Sequence, residues 1–238
     1  MAVELESPDA TLALPLCRRR RSCRCHKCHA ISKAISARDG NKYCSGMSTW
    51  NVDLASFCCC GVYGIRVCDE IQCGMGRTGN MFCYQSYDIV PDVVCVAKAL
   101  GNGLPIGAFL CREECAALVP GDHGSTYGGN PLVCAAANAV MDQFEELNLT
   151  AHVKEVGAYL YEQLEQLTAE FDCIKDHRGI GLMQGIELTI PVGDVIKKAQ
   201  KEGLIIISAS GNVIRFVPPL VITNADVDEM IKKLESCF

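Results

Sequence analysis

Two side chains capable of chemistry stand at the ends of predicted buried strands. Residues 93–97 form an apolar run without alternation, which is typical of a short buried strand, and Lys98 follows it directly. Asp69 and Glu70 end another predicted strand, GIRVCDE. Open α/β sheets bind ligands in a crevice outside the carboxyl ends of their strands. If the two strands are near neighbours, Asp69 and Lys98 therefore face the same crevice.

An amine and a carboxylate in one crevice suit pyridoxal phosphate chemistry. The amine forms a Schiff base with an aldehyde, and the carboxylate keeps the pyridine nitrogen protonated so that the ring accepts electrons. The alternative for each residue is structural. A lysine after a strand often extends its charged end into water, and acidic residues at a strand end often serve as caps or surface ion pairs. The neighbouring elements and motifs decide between these interpretations.

The elements from Gly61 onward predict an α/β fold, with strands at 64–70, 93–98 and 107–112. A helix follows these strands, with Asn130 as its cap and Pro131 in its first turn. A second helix over about residues 150–171 repeats apolar residues at helical spacing. These residues should form its buried face: Val153, Val156, Leu160, Leu164 and Leu167.

The C-terminal part predicts short strands and two further helices. Residues 173–188 contain two strand-like pieces around glycines, and 204–208 and 212–220 are further strand candidates. A helix lies near 193–202, and Asn224 caps a last helix that ends at Leu234. We therefore predict three regions: 1–60 without an assigned fold, 61–148 in a larger α/β domain, and 149–238 as a smaller C-terminal domain.

Composition excludes several classes of protein. A chain of 238 residues with 49% hydrophobic content can bury a substantial core. No apolar run approaches the roughly 18 residues that span a bilayer, and the start lacks the apolar segment of a secretion signal. The 17 cysteines are odd in number and lack the spacing of a disulfide framework. We therefore expect a soluble cytoplasmic protein with reduced thiols and no membrane partner.

Charge is distributed unevenly along the chain. Of its 22 basic and 28 acidic residues, nine basic and five acidic ones lie in residues 1–60, so the remainder carries the acidic excess. An acidic main body argues against a nucleic-acid partner. We therefore expect small-molecule substrates as partners and no nucleic acid.

The basic start raises the alternative of a small metal module. Cys23, Cys25, His26, Cys28 and His29 lie close enough to supply zinc ligands. Their spacing is not that of a standard zinc finger, however, and no second ligand pair follows at a typical distance. A disordered or non-native basic segment is the other interpretation. We predict no metal site.

Three stretches together resemble the class III aminotransferases of the type I pyridoxal phosphate fold. They are DEIQCGMGRTGNMFCYQSYDIVPDVVCVAKALGNGLPIGAFL, GDHGSTYGGNPLVCAAANAV and HRGIGLMQGIEL, and the resemblance covers about residues 65–236. Agreement in the order and spacing of several motifs is more specific than any single glycine pattern. Within the class, the chain is most similar to the branch that acts on N-acetylornithine. The resemblance implies part of a large domain, with a mainly parallel sheet and flanking helices, and a small C-terminal α+β domain.

Four residues match the family's cofactor contacts. Lys98 matches the lysine that forms the Schiff base with pyridoxal 5'-phosphate, and Asp69 matches the partner of the pyridinium nitrogen. Ile71 matches the apolar residue under the ring, and Gln72 matches the side chain near the phenolic oxygen. Ile71 would also be packed core on any interpretation, and Gln72 could bond a nearby backbone group instead.

Two further matches concern the partner subunit and the substrate. Thr126 matches the threonine that reaches the phosphate of the neighbouring subunit's cofactor, which implies a homodimer; its structural alternative is a cap on the helix after Asn130. Arg215 matches the arginine that engages a substrate carboxylate, as its bidentate fork suits. Arg215 sits in an apolar strand, and a buried arginine otherwise needs a protein partner.

The resemblance implies a reaction as well as a site. It is transamination between an amine-bearing amino acid such as N-acetylornithine and 2-oxoglutarate, as in arginine biosynthesis. Ornithine or 4-aminobutyrate is the alternative donor, and a non-catalytic fragment is the alternative class. Family members also carry an upstream phosphate-binding loop, a stacking aromatic residue and an arginine for the α-carboxylate, none of which is evident in residues 1–64. We therefore expect an N-terminally incomplete chain with weak cofactor binding.

Overall fold

The computed structural model describes residues 57–60, 65–87, 89–118, 120–122, 124–209 and 211–238. The candidate zinc ligands of the basic start lie outside these residues. The described chain forms two compact units. One lies within Leu54–Gln72 and Tyr84–Met141, and the other contains Cys73–Cys83 and Asp142–Phe238. A single cut in the chain does not separate these units, because Cys73–Cys83 groups with the C-terminal residues.

The first unit contains a four-stranded mixed sheet. Its strands are β1 (Phe57–Cys60), β2 (Ile65–Asp69), β3 (Val93–Val96) and β4 (Ala108–Cys111), in that spatial order. The pair β2–β3 is parallel, and the pairs β1–β2 and β3–β4 are antiparallel. Three of the four side chains of β3 are buried, as its continuous apolar run predicted. The α/β class is confirmed, while the parallel pairing of the described sheet is confined to β2–β3.

The helix that follows this sheet begins where the sequence predicted. Helix α1 spans Pro131–Glu146, so proline occupies its first position. The Asn130 side-chain oxygen accepts a hydrogen bond from the backbone N–H of Val133 at 3.3 Å. This contact satisfies one of the helix's initial N–H groups and confirms Asn130 as the cap.

The second unit is an antiparallel sheet packed with helices. Its elements are α2 (Leu149–Glu170), β5 (Ile174–Ile180), β6 (Met183–Leu188), α3 (Val192–Lys201), β7 (Ile207–Ser208), β8 (Val213–Phe216) and α4 (Asn224–Glu235), and the strand order is β5-β6-β8-β7. The five apolar residues predicted for the face of α2 are all buried in one core with Ile186, Ile214 and Leu234. Of the strand predicted at 204–208, only Ile207–Ser208 pairs, against β8.

The prediction that Asn224 caps the last helix is wrong. Thr223 is the cap, and Asn224 is the first residue of α4. The Thr223 hydroxyl accepts the backbone N–H of Asp226 at 3.3 Å, and the Asp226 carboxylate accepts the backbone N–H of Thr223 at 2.7 Å. The reciprocal pair satisfies two backbone donors, which a cap at Asn224 would not do.

Two expectations from composition concern membrane spans and disulfides. No helix in the described residues is long and apolar enough to cross a membrane. Among the cysteines whose side chains the structure describes, none forms a disulfide.

The segment Cys73–Cys83 is held in the second unit by Arg77. The Arg77 guanidinium donates to the carbonyls of Leu182 at 3.1 Å and Pro218 at 2.5 Å. The backbone N–H of Leu182 in turn donates to the Arg77 carbonyl at 3.0 Å. Burial lowers the pKa of Arg77 to about 10, because the charged guanidinium has lost water. Arg77 thus ties this segment to the β5–β6 turn and to the loop after β8.

We expect Arg77→Met to lower the free energy of unfolding by about 1–3 kcal/mol, because two carbonyls in a mostly buried site lose their donor. Methionine keeps much of the length of the side chain, so the lost hydrogen bonds dominate the change. Chemical denaturation of both chains measures the difference. Lys197→Met is the control, since Lys197 is 76% exposed in a surface pair with Asp194 and should change stability by no more than about 0.5 kcal/mol. Equal effects of the two substitutions would contradict the role of Arg77.

Candidate active site

Asp69 and Lys98 stand at the carboxyl ends of the one parallel strand pair in the described sheet. Asp69, the last residue of β2, lies opposite Cys95 of β3. The pairing continues past the strand, because the backbone N–H of Glu70 donates to the Cys95 carbonyl at 2.9 Å. Lys98 follows β3 after Ala97. The backbone therefore brings the amine-bearing and carboxylate-bearing residues to the same end of neighbouring strands, where α/β sheets bind ligands.

Lys98 has an unusual backbone conformation for a lysine. Its φ is 45°, in the left-handed region, after an extended Ala97. Non-glycine residues pay about 1–2 kcal/mol there, because the Cβ atom approaches the carbonyl oxygen. Lys98 opens the 3₁₀ turn Lys98–Leu100, and Gly101 is its C-cap. A Cβ added at Gly101 would lie 2.3 Å from the Leu104 carbonyl oxygen. The Lys98 side chain is exposed.

The Asp69 carboxylate is oriented by the turn that follows it. Its Oδ1 accepts the backbone N–H of Ile71 at 3.1 Å, and the side chain is half-buried. Burial raises the pKa of the Cys95 thiol, and the negative charge of Asp69 raises it further. The carboxylate therefore exerts its field on the end of β3, the strand that leads to Lys98.

The remaining predicted cofactor residues follow Asp69 or precede α1. Ile71 and Gln72 are half-buried in the turn after β2. Thr126 is exposed in a loop where the backbone N–H of Gly128 donates to the Ser125 hydroxyl at 2.9 Å. Because Asn130 caps α1, Thr126 is not needed for that role.

Arg215 lies in the second unit. Arg215 lies in β8 and is half-buried. It pairs with Gly185 of β6 and with Ile207 of β7. The structure thus groups Asp69, Ile71, Gln72 and Lys98 at one sheet end, keeps Thr126 in the same unit, and places Arg215 in the other unit. Their functional roles stay predictions.

The sequence interpretation gave Glu70 no role in the candidate site, although the residue directly follows Asp69. Glu70 is only 1% exposed, and its Oε1 accepts the backbone N–H of Tyr84 at 2.8 Å. A carboxylate next to a predicted cofactor residue was the available signal. Its carboxylate contacts a residue on the far side of Cys73–Cys83, and a strand pattern does not predict that contact.

The residues at the end of β2 and β3 fit pyridoxal phosphate by their chemistry. An exposed lysine amine suits an aldehyde, and a fixed carboxylate suits a protonated ring nitrogen. Ile71 adds an apolar side chain next to that carboxylate. A metal centre has no comparable support, since no group of three or more His, Cys, Asp or Glu residues in the described ranges could hold an ion.

Comparison with known sequences gives the family of this chain. The sequence profile of the family described as "Aminotransferase class-III" matches residues 34–238. The acetylornithine aminotransferase of Clostridium acetobutylicum is 46% identical over 169 residues, which are 70% of this chain and 44% of that protein. The acetylornithine aminotransferase of Gloeobacter violaceus is 47% identical over 172 residues, 71% of this chain and 43% of that protein.

Solved structures give the same fold. The ornithine delta-aminotransferase of Plasmodium falciparum has a TM-score of 0.69 at 35% identity, covering 72% of this chain and 45% of that one. The acetylornithine aminotransferase from Elizabethkingia anophelis has a TM-score of 0.67 at 31% identity, with 72% and 42% covered. The chain belongs to the class III aminotransferase family, whose members use pyridoxal phosphate. Its match spans less than half the length of the relatives named here.

Proposed function

We propose that this chain acts in pyridoxal phosphate-dependent transamination between an amine-bearing amino acid such as N-acetylornithine and 2-oxoglutarate, the exchange used in arginine biosynthesis. The observation that supports it most is the placement of Asp69 and Lys98 at the carboxyl ends of the parallel pair β2–β3, in a chain of this family. The names of the sequence relatives favour N-acetylornithine as the donor. The Plasmodium falciparum neighbour makes ornithine the main alternative, with 4-aminobutyrate behind it.

The proposed roles follow from the chemistry of each side chain. Pyridoxal phosphate, when bound, supplies a ring that draws in the electron pair of the C–H bond beside the substrate amine. The Lys98 Nζ accepts the proton of that bond and later returns a proton, as general base and then acid. Asp69 would accept a hydrogen bond from the protonated ring nitrogen. Ile71 would pack against the ring, and Gln72 would bond near its phenolic oxygen.

The other two residues hold charged groups. Thr126 would bond the phosphate bound in the neighbouring subunit, so the proposed assembly is a homodimer. Arg215 would hold a substrate carboxylate with two parallel N–H donors, a geometry that lysine cannot reproduce. Holding a carboxylate in this way restricts the orientation of the substrate, and orientation of this kind supplies much of the rate.

We predict that the purified chain binds pyridoxal phosphate weakly and shows little turnover. Its match covers under half the length of the relatives, and residues 1–64 contain no evident phosphate-binding loop. Charge-assisted contacts to a phosphate contribute about 1.5–3 kcal/mol each. Losing two or three would weaken binding by a few orders of magnitude, at about 1.4 kcal/mol per decade.

Titration with pyridoxal phosphate, followed by visible absorbance, measures the binding. Glutamate formation from 2-oxoglutarate with N-acetylornithine, ornithine or 4-aminobutyrate measures turnover and ranks the donors. No absorbance change at millimolar pyridoxal phosphate would reject the cofactor for this chain and favour a non-catalytic role. Tight binding with rapid turnover would mean that residues 1–64 supply the contacts that we expect to be missing.

A further inference from the structure

Glu70 is a buried carboxylate that the proposed mechanism leaves unused. A buried charged group is costly unless its oxygens are hydrogen-bonded. Here Glu70 Oε1 accepts the backbone N–H of Tyr84 at 2.8 Å, and the backbone N–H of Glu70 donates to the Cys95 carbonyl at 2.9 Å. Both its side chain and its backbone therefore make specific contacts within the first unit.

Tyr84 is the residue at which the chain returns to the first unit. The chain passes into the C-terminal unit for Cys73–Cys83 and re-enters at Tyr84. The Glu70–Tyr84 hydrogen bond therefore joins residues that lie before and after the segment Cys73–Cys83. Burial raises the pKa of the Tyr84 hydroxyl, and the charge of Glu70 raises it further, so the carboxylate is near the Tyr84 side chain as well as its backbone.

Three hydrogen bonds restrict the peptide units around Asp69. Glu70 N–H donates to Cys95, Tyr84 N–H donates to Glu70, and Ile71 N–H donates to the Asp69 carboxylate. Removing the Glu70 side chain leaves the turn after β2 without its bond to Tyr84. The same turn contributes to the direction of the Asp69 carboxylate, because Asp69 Oδ1 accepts the backbone N–H of Ile71 at 3.1 Å.

We propose that Glu70 is a positioning residue that acts through Asp69, setting the direction in which the Asp69 carboxylate meets a ring nitrogen. This inference rests on the proposed function, in which Asp69 binds that nitrogen. It extends the function by assigning a task to a residue to which the proposed function gives no cofactor contact.

The test compares two ligands that differ at one ring position. One is pyridoxal phosphate, and the other is its benzene-ring analogue, in which CH replaces the ring nitrogen while the aldehyde and phosphate remain. Glu70→Ala should weaken binding of pyridoxal phosphate about tenfold, one decade at about 1.4 kcal/mol, because the bond from the ring nitrogen to Asp69 is misdirected. Binding of the analogue should change less than about twofold, since it makes no such bond.

A double-mutant cycle checks that the effect passes through Asp69. In an Asp69→Asn background, adding Glu70→Ala should cause no further loss of pyridoxal phosphate binding. Visible-absorbance titration gives the dissociation constants, and mass spectrometry of the borohydride-reduced product at Lys98 gives the same ranking where binding is weak. Glu113→Gln, which changes an exposed carboxylate of the same unit, is the control and should behave like the unmodified chain.

Equal weakening of both ligands, or additive losses in the cycle, would overturn the proposal and leave Glu70 with a purely structural role. Glu70→Gln covers the case in which Glu70→Ala does not fold, because glutamine keeps an acceptor oxygen for Tyr84. It should show a smaller loss with the same preference for the ligand that has the ring nitrogen. A loss without that preference would overturn the proposal.

If the unmodified chain binds neither ligand, the proposed function itself fails, and that result is separate from the behaviour of the variants.

Discussion

A chain carrying Lys98→Ala should lose the site-specific label that pyridoxal phosphate and borohydride reduction give the unmodified chain, which is one cofactor attached at Lys98. The expected loss is complete because only a primary amine at this position can be fixed to the aldehyde beside Asp69. The structure supports the choice of lysine. Lys98 is exposed at the end of β3, next to the strand that ends at Asp69, and a left-handed backbone turns the chain there. Strained backbone of this kind clusters at functional sites.

Intact-mass measurement after reduction gives the stoichiometry, and peptide mapping gives the position. Other exposed lysines also react with aldehydes, so the control is Lys197→Ala, which removes a surface amine of the second unit. That variant should keep the full modification. Label spread over many lysines, or label retained in full by Lys98→Ala, would show that Lys98 is not the cofactor lysine.

The elements that the sequence predicted well depend on local signals. A continuous apolar run between turn-forming residues was sufficient for β3, and an asparagine before proline was sufficient for the start of α1. The cap of α4 was misplaced by one residue because threonine and asparagine are both good caps. Only the reciprocal bonds between Thr223 and Asp226 distinguish them.

The candidate site was predictable to the extent that it lies at strand ends. Asp69 and Lys98 each end a recognisable strand, and the parallel pairing of those strands brings their ends together. The burial of Glu70 was not predictable, because it depends on Tyr84, which is reached only after the chain has passed through Cys73–Cys83. The left-handed conformation of Lys98 was likewise absent from any residue pattern, since lysine has no preference for it.

The glycine motifs illustrate a third case, in which the sequence marks a position without showing its partner. The stretches GMGRTG and HRGIGLMQG are far apart in the chain, yet they meet in the second unit. A Cβ added at Gly181 would lie 2.7 Å from the Thr78 carbonyl carbon. A Cβ added at Gly157, in the middle of α2, would lie 2.6 Å from the Gly181 Cα. Backbone packs directly on backbone at both contacts, so neither neighbour can move aside as a flexible side chain would.

We expect Gly181→Ala to destabilise the second unit by about 4 kcal/mol or more, a loss seen only for core clashes, strained backbone and similar defects. Two costs combine at this position. Its φ is +56°, a conformation that costs alanine about 1–2 kcal/mol. The added methyl group would also collide with the backbone of Thr78 and Arg77, forcing the segment Cys73–Cys83 away from the β5–β6 turn. Gly157→Ala should be similarly harmful through the collision alone.

Chemical denaturation of each variant measures these losses, with Gly193→Ala as the matched control. Nothing lies within 4 Å of a Cβ added at Gly193, which sits in the first turn of α3. Alanine there should be neutral or stabilise the chain by up to about 1 kcal/mol, because it favours the helix and restricts the unfolded state. The same chemical change is thus expected to have opposite signs at two glycines of one unit. A Gly181→Ala chain as stable as the Gly193→Ala chain would show that Cys73–Cys83 does not pack on this turn, and the anchoring by Arg77 would fail with it.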